Sequence, residues 1–153
     1  MMSLCCDVLK ALKGKTLVTA ESCTGGMIGA ALTAVPGSSA VYKGGVICYT
    51  NWVKENILGV GREVLEQFGA VSKPVAGAMA AGARKQLQAD VAVSVTGLAG
   101  PGGDDYGNPV GTVYIGFECD TKSEVKQFCF LGDRESVRRQ AAEAALQIIM
   151  DNI

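Results

Sequence analysis

The run Val91-Ala-Val-Ser-Val95 carries no charge and puts apolar side chains on both faces of a strand. That is the pattern of a strand covered from above and below, not of one with a wet side. A chain of 153 residues built around such a strand must supply helices to both faces. Leu4, Val8, Leu9 and Leu12 recur at helical spacing before Gly14. Thr16 to Ala20 reads as a short buried strand, Glu21 to Gly26 as a tight turn, and Met27 to about Ala34 as a helix stopped before Pro36. Val46 to Thr50 reads as a second strand, with Asn51 as N-cap of a short helix through Leu58 that Gly59 ends. Ser72 followed by Pro74 starts a helix whose Val75, Met79, Ala83 and Leu87 share a face.

Val110 to Phe117 and Val125 to Leu131 read as a hairpin joined through Asp120 to Ser123. Asp133 then caps a last helix with Val137, Ala141, Ala144, Ala145 and Ile148 facing inward. Helices alternating with strands early, and a hairpin late, predict one α/β domain over residues 1–153, with a mixed sheet in a layered α/β/α arrangement. Glycine- and alanine-rich helices such as Val75 to Leu87 can also pack closely against a partner, so a homo-oligomer is expected.

Composition narrows the chemistry. The chain has no histidine, which removes every Ser–His or Cys–His catalytic pair and every histidine metal site. Fourteen basic and fifteen acidic residues leave a net charge of −1, so the electrostatic footprint of a general nucleic-acid binder is missing. Six cysteines stand at 5, 6, 23, 48, 119 and 129 without a C-x-x-C pair, a poor zinc or iron–sulfur pattern, and no metal or cofactor is expected. Asp7, Lys10, Lys13 and Lys15 break any signal-peptide apolar core, and Gly25, Gly26, Gly29, Pro36 and Gly37 interrupt the uncharged stretch from Ser22 to Tyr42. The expectation is a cytoplasmic protein with reduced thiols and no membrane contact.

Three segments place small or polar residues just beyond a strand, where open α/β sheets bind ligands. In Glu21-Ser-Cys-Thr-Gly-Gly26, Ser22 sits between a strand and a helix start, near amides that suit an oxyanion, while Gly25 and Gly26 allow close approach. Ser22 or Thr24 could equally cap the helix. Cys23, a rival nucleophile without a histidine to activate it, suits packing better. In Tyr49-Thr-Asn-Trp-Val-Lys54, a lysine in the first turn of a helix, partly buried, is pushed toward its neutral form. A neutral lysine is a general base for a serine, with Tyr49 as a possible relay; a solvated lysine is the plain alternative. Thr96 ends the buried strand and opens Thr96-Gly-Leu-Ala-Gly-Pro-Gly-Gly103, a loop able to cradle phosphate or simply to turn tightly. Arg134, Arg138 and Arg139 form a basic cluster at the start of the last helix.

Ala20-Glu-Ser-Cys-Thr-Gly-Gly26, Tyr49-Thr-Asn51 with Lys54, the 96–103 loop, Pro109-Val-Gly-Thr-Val-Tyr114, Gly132-Asp-Arg134 and Val137-Arg-Arg-Gln140 together resemble the CinA C-terminal domain family, in order from about residue 4 to 150. Stand-alone members are nicotinamide-nucleotide amidohydrolases, so the resemblance implies conversion of nicotinamide mononucleotide to nicotinate mononucleotide and ammonia. It implies Ser22 as nucleophile, Lys54 and Tyr49 as activating partners and Thr96 in the same pocket. The implied binding set is Cys23, Thr24, Gly25, Gly26, Asn51, Gly97, Gly100, Gly102, Arg138, Arg139 and Gln140, around a small nucleotide and with no metal. Longer members carry a further N-terminal domain resembling molybdopterin-binding proteins, and activities attributed to that domain are not expected of these residues. The competing readings are a non-catalytic nucleotide-binding or regulatory domain, and an amidohydrolase of another small carboxamide.

Overall fold

The computed structural model describes residues 1–153. The elements in chain order are α1 (Met2–Ala11), β1 (Leu17–Glu21), α2 (Met27–Thr33), a 3₁₀ turn at Ser38–Ala40, β2 (Tyr42–Ile47), α3 (Asn51–Asn56), α4 (Arg62–Phe68), α5 (Lys73–Gln86), β3 (Val91–Gly97), β4 (Thr112–Glu118), β5 (Ser123–Cys129) and α6 (Arg134–Asp151). The five strands form one mixed sheet in the order β2-β1-β3-β4-β5. β1 runs parallel to β2 and β3, while β3–β4 and β4–β5 are antiparallel.

Both faces of the sheet are covered. Val91, Val93 and Val95 pack with α1, α2 and α6 in one core, while Ala92 joins Val18, Ala20, Val75, Met79 and Ala83 in the other, under α5. Alternation of side chains along a strand sends successive residues to opposite layers, so the apolar run of β3 serves two cores at once. Ala76, Ala80 and Ala83 of α5 are turned onto the sheet. Their small size lets α5 come so close that a Cβ on Gly116 would lie 2.6 Å from the Ala76 carbonyl oxygen and from Ser94 Oγ. No helix is long and apolar enough to cross a membrane.

Several boundaries differ from the sequence expectation. β2 is Tyr42–Ile47, not Val46 to Thr50. The strand takes in Gly44 and Gly45, and at Gly45 a side chain would strike Thr19 Oγ1 and stand 2.8 Å from the Tyr42 hydroxyl. Asn51 is the first residue of α3, not its cap; the cap position is Thr50, without a side-chain hydrogen bond, and the helix ends at Asn56. β3 continues to Gly97, so Thr96 lies inside the strand. α4 escaped the sequence reading, since its seven residues bury only Leu65 and carry too little periodicity to register. Asp133 does cap α6, its carboxylate accepting from Ser136 N.

A methyl group at Gly116 has nowhere to go. Gly116→Ala is expected to lower stability by about 1–3 kcal/mol, the usual cost of overpacking, read as a lower urea midpoint with an unchanged slope.

Candidate active site

The chain leaves β1 toward β2 on one side and later returns to place β3 on the other, so β1 and β3 are neighbours whose connections run in opposite directions. Ligands settle outside the carboxyl ends of strands at such a switch point. The cleft there, about 320 Å³, is lined among others by Ser22, Lys54, Thr96, Gly100 and Arg134.

Ser22 follows the last residue of β1 and keeps strand geometry by donating its N–H to Val95 O at 2.9 Å. Neither Ser22 nor Thr24 caps α2. Glu21 does so from six residues before the helix, its buried carboxylate accepting from Ile28 N and Gly29 N at 2.9 Å each and from Thr24 Oγ1 at 2.8 Å. A carboxylate suits the positive end of a helix, and this one leaves the Ser22 hydroxyl free for another partner. Gly25 and Gly26 complete the turn at φ of 58° and 104°, backbone angles that glycine adopts without penalty. Sequence reasoning passed over Glu21; an acid directly before a strand-to-helix turn was the available signal.

The partner of Ser22 is Lys54. Its side chain is 1% exposed. Nζ lies 2.9 Å from Ser22 Oγ and donates to Cys48 O at 2.6 Å and, at the long limit of 3.5 Å, to Tyr49 O. The two ion pairs of the protein, Arg62–Glu55 and Arg139–Glu135, lie elsewhere, so no carboxylate supports an ammonium here. Burial pulls Lys54 below the ordinary lysine range. The same burial pushes the thiols of Cys23 and Cys48 up to about 11, so they bring no negative charge at neutral pH and Cys23 is a poor nucleophile. In its neutral form the amine has two N–H groups for the two carbonyls and a lone pair for the Ser22 hydroxyl.

The other expected residues divide. Cys23, Gly97, Gly100 and Gly102 line the cleft with Tyr49 and Thr96. Tyr49 is 59% exposed and its hydroxyl accepts from Arg134 Nη2 at 3.2 Å, with no bond to Ser22 or Lys54, so a proton relay through it has no path in this geometry. Thr96 spends its hydroxyl on Ala70 O at 2.8 Å, fixing the opposite wall. Thr24, Gly25 and Gly26 shape the turn behind Ser22 and are not on the cleft wall. Asn51 faces a separate depression beside Glu55 and Arg62. Arg139 is paired with Glu135 on the surface, and Gln140 donates to Leu131 O and Ser136 O. Arg138 donates to Cys23 O and Thr24 O from behind the turn. The arginine that reaches the cleft is Arg134, held by a 2.7 Å bond from Nη1 to Gly100 O. Beside it, the amides of Ala99 and Gly100 have no protein acceptor.

Set beside known proteins, residues 2–153 match the model of the CinA C-terminal domain. The chain belongs to the CinA C-terminal domain family. It is 46% identical over 152 residues to the nicotinamide-nucleotide amidohydrolase PncC of Escherichia coli K12, covering 97% of this chain and 92% of that protein. It is also 48% identical to a CinA-like protein of Anaeromyxobacter sp. strain K over 139 residues, which are 34% of that longer relative. A crystal structure of a CinA superfamily protein from Escherichia coli superposes with a TM-score of 0.97 at 34% identity, covering 99% of this chain and 90% of that one. A competence damage-inducible protein from Klebsiella pneumoniae gives 0.95 at 38% identity, covering 98% and 94%. The mixed α/β sheet described above is therefore the family fold.

The buried amine leaves a signature in stability. A lysine with a lowered folded-state pKa is protonated in the unfolded chain at pH values where the folded chain has lost the proton. Unfolding therefore takes up a proton, and the Lys54 contribution to stability grows as pH rises from the folded pKa toward the unfolded one. Comparing urea midpoints of wild type and Lys54→Met across that range cancels the opposing titration of the buried thiols. The difference, wild type minus variant, is expected to increase with pH.

Proposed function

We propose that this protein hydrolyses the carboxamide of nicotinamide mononucleotide to nicotinate mononucleotide and ammonia, with Ser22 as nucleophile and Lys54 as its base. The observation that carries the mechanism is the Lys54 amine, buried without a counter-charge and 2.9 Å from Ser22 Oγ in a nucleotide-sized cleft. The 46% identity to PncC over nearly the whole chain supports the substrate.

Neutral Lys54 takes the Ser22 proton as Oγ bonds to the carboxamide carbon. The oxygen becomes an oxyanion beside Cys23, which lines the cleft and whose N–H has no protein acceptor. Lys54 returns the proton to the amide nitrogen, the C–N bond breaks and ammonia leaves. A water then gives its proton to Lys54 and attacks the acyl ester. The ester bond to Oγ breaks, Ser22 recovers a proton and the acid product departs. Tyr49 shapes the mouth of the cleft and orients Arg134. The guanidinium of Arg134, with the Ala99 and Gly100 amides, supplies the positive end that receives the substrate phosphate. The protein works in the cytoplasm, a reading supported by its six free thiols.

Ammonia release from nicotinamide mononucleotide by the purified protein tests this reading. Turnover is expected to persist with a chelator present, to vanish with Ser22→Ala, and to fall about 10²–10⁴-fold with Lys54→Met, the range for losing a general base. Full activity in Ser22→Ala would overturn the assignment. Because the neutral amine is the active form, kcat/KM should rise with pH and level off below the pH at which an ordinary lysine loses its proton. Arg134→Ala should raise KM for the nucleotide much more than it lowers kcat.

A further inference from the structure

Arg138 is the one member of the basic cluster that grips backbone behind the nucleophile. Nε donates to Cys23 O at 2.9 Å and Nη2 to Thr24 O at 3.3 Å. It takes part in neither ion pair and lines no wall of the cleft, so its charge is committed to these two carbonyls. A Cβ on Gly25 would lie 3.4 Å from Nη2, so the guanidinium lies directly against the turn.

In a trans peptide the carbonyl and the following N–H point in opposite directions. A donor that holds the Cys23 carbonyl therefore sets the direction of the Thr24 N–H. The Thr24 carbonyl, which Arg138 holds together with Met27 N at 3.0 Å, sets the Gly25 N–H, which donates to Ser22 O at 3.1 Å. That bond fixes the Ser22 carbonyl and, by the same rule, the N–H of Cys23. One guanidinium thus braces two peptide planes in succession, and of the amides in this turn that of Cys23 belongs to a residue lining the cleft and has no protein acceptor. Glu21 secures the α2 side of the turn through Thr24 Oγ1, Ile28 N and Gly29 N. The peptide planes themselves, leading into two glycines with positive φ, are held from the α6 side by Arg138.

We propose that Arg138 is a positioning residue that, by bracing the turn, aims the Cys23 amide at the developing oxyanion and does not contact substrate. This rests on the reading of Ser22 as an amidohydrolase nucleophile. A lysine carries the charge but not the planar fork, so Arg138→Lys and Arg138→Met should both lose the geometry.

In steady-state deamidation of nicotinamide mononucleotide, well below the melting temperature of each variant, kcat is expected to fall about 10²-fold or more, the loss typical of one oxyanion donor. KM should stay within about twofold, because uniform substrate binding is untouched. A raised KM with unchanged kcat would make Arg138 a substrate contact and overturn the proposal, and so would unchanged kinetics. A second measurement does not depend on turnover. In residue-resolved NMR of the free protein, the Cys23 and Thr24 amide signals should shift in Arg138→Met while those of β3 and β4 stay in place. Unchanged turn amides overturn the proposal. A folded wild-type protein inactive on this substrate, with shifted turn amides, would instead refute the amidohydrolase reading alone.

Discussion

The carboxylate of Glu21 joins the end of β1 to the start of α2, and the rest of the site depends on that join. A buried acid is costly unless its oxygens are satisfied, and here two helix amides and the Thr24 hydroxyl satisfy it. The helix end that would otherwise need a serine or threonine cap is supplied from the strand. The Ser22 hydroxyl is therefore not spent on capping and pairs with Lys54, and the turn behind it is closed tightly enough to need Gly25 and Gly26.

Lys54 shows the opposite economy. Taking an ammonium out of water without a carboxylate partner disfavours the charged form, and burial does this to Lys54. Cys48 O and Tyr49 O give the amine acceptors, which keeps it oriented, but no charge that would hold its proton. The same low-polarity surroundings keep the thiols of Cys23 and Cys48 protonated. One environment thus raises two thiol pKa values and lowers that of one lysine.

The layered fold was legible because the signals for it are local. The apolar run of β3, the Ser72 and Pro74 start of α5 and the Asp133 cap of α6 all act within a few residues of themselves. Where the reading slipped, the deciding contact was distant in sequence. β2 runs through Gly45, where Thr19 and Tyr42 occupy the space a side chain would need. Asn51, read as a cap and as a binding residue, became the first helical residue, beside another depression. Arg138, Arg139 and Gln140 are neighbours in the chain with three separate employments: the turn after Ser22, a surface ion pair and the loop before α6. Helical spacing sends adjacent residues in different directions, so a run of polar residues cannot declare which of them meets a site.

What the sequence by itself determined was the inventory and the framework. With no histidine, a serine amidohydrolase must use another base. A strand apolar on both faces must be sandwiched, and its carboxyl end then becomes the place for a site. The tertiary structure alone decided the pairing within that inventory. It set Lys54 2.9 Å from Ser22 across 32 positions of chain, turned Tyr49 to Arg134, and placed Arg138 behind the turn. The reason is physical: composition and periodicity report which residues seek burial, whereas desolvation, the aim of a hydrogen bond and the tilt of a peptide plane exist only once distant segments share one place.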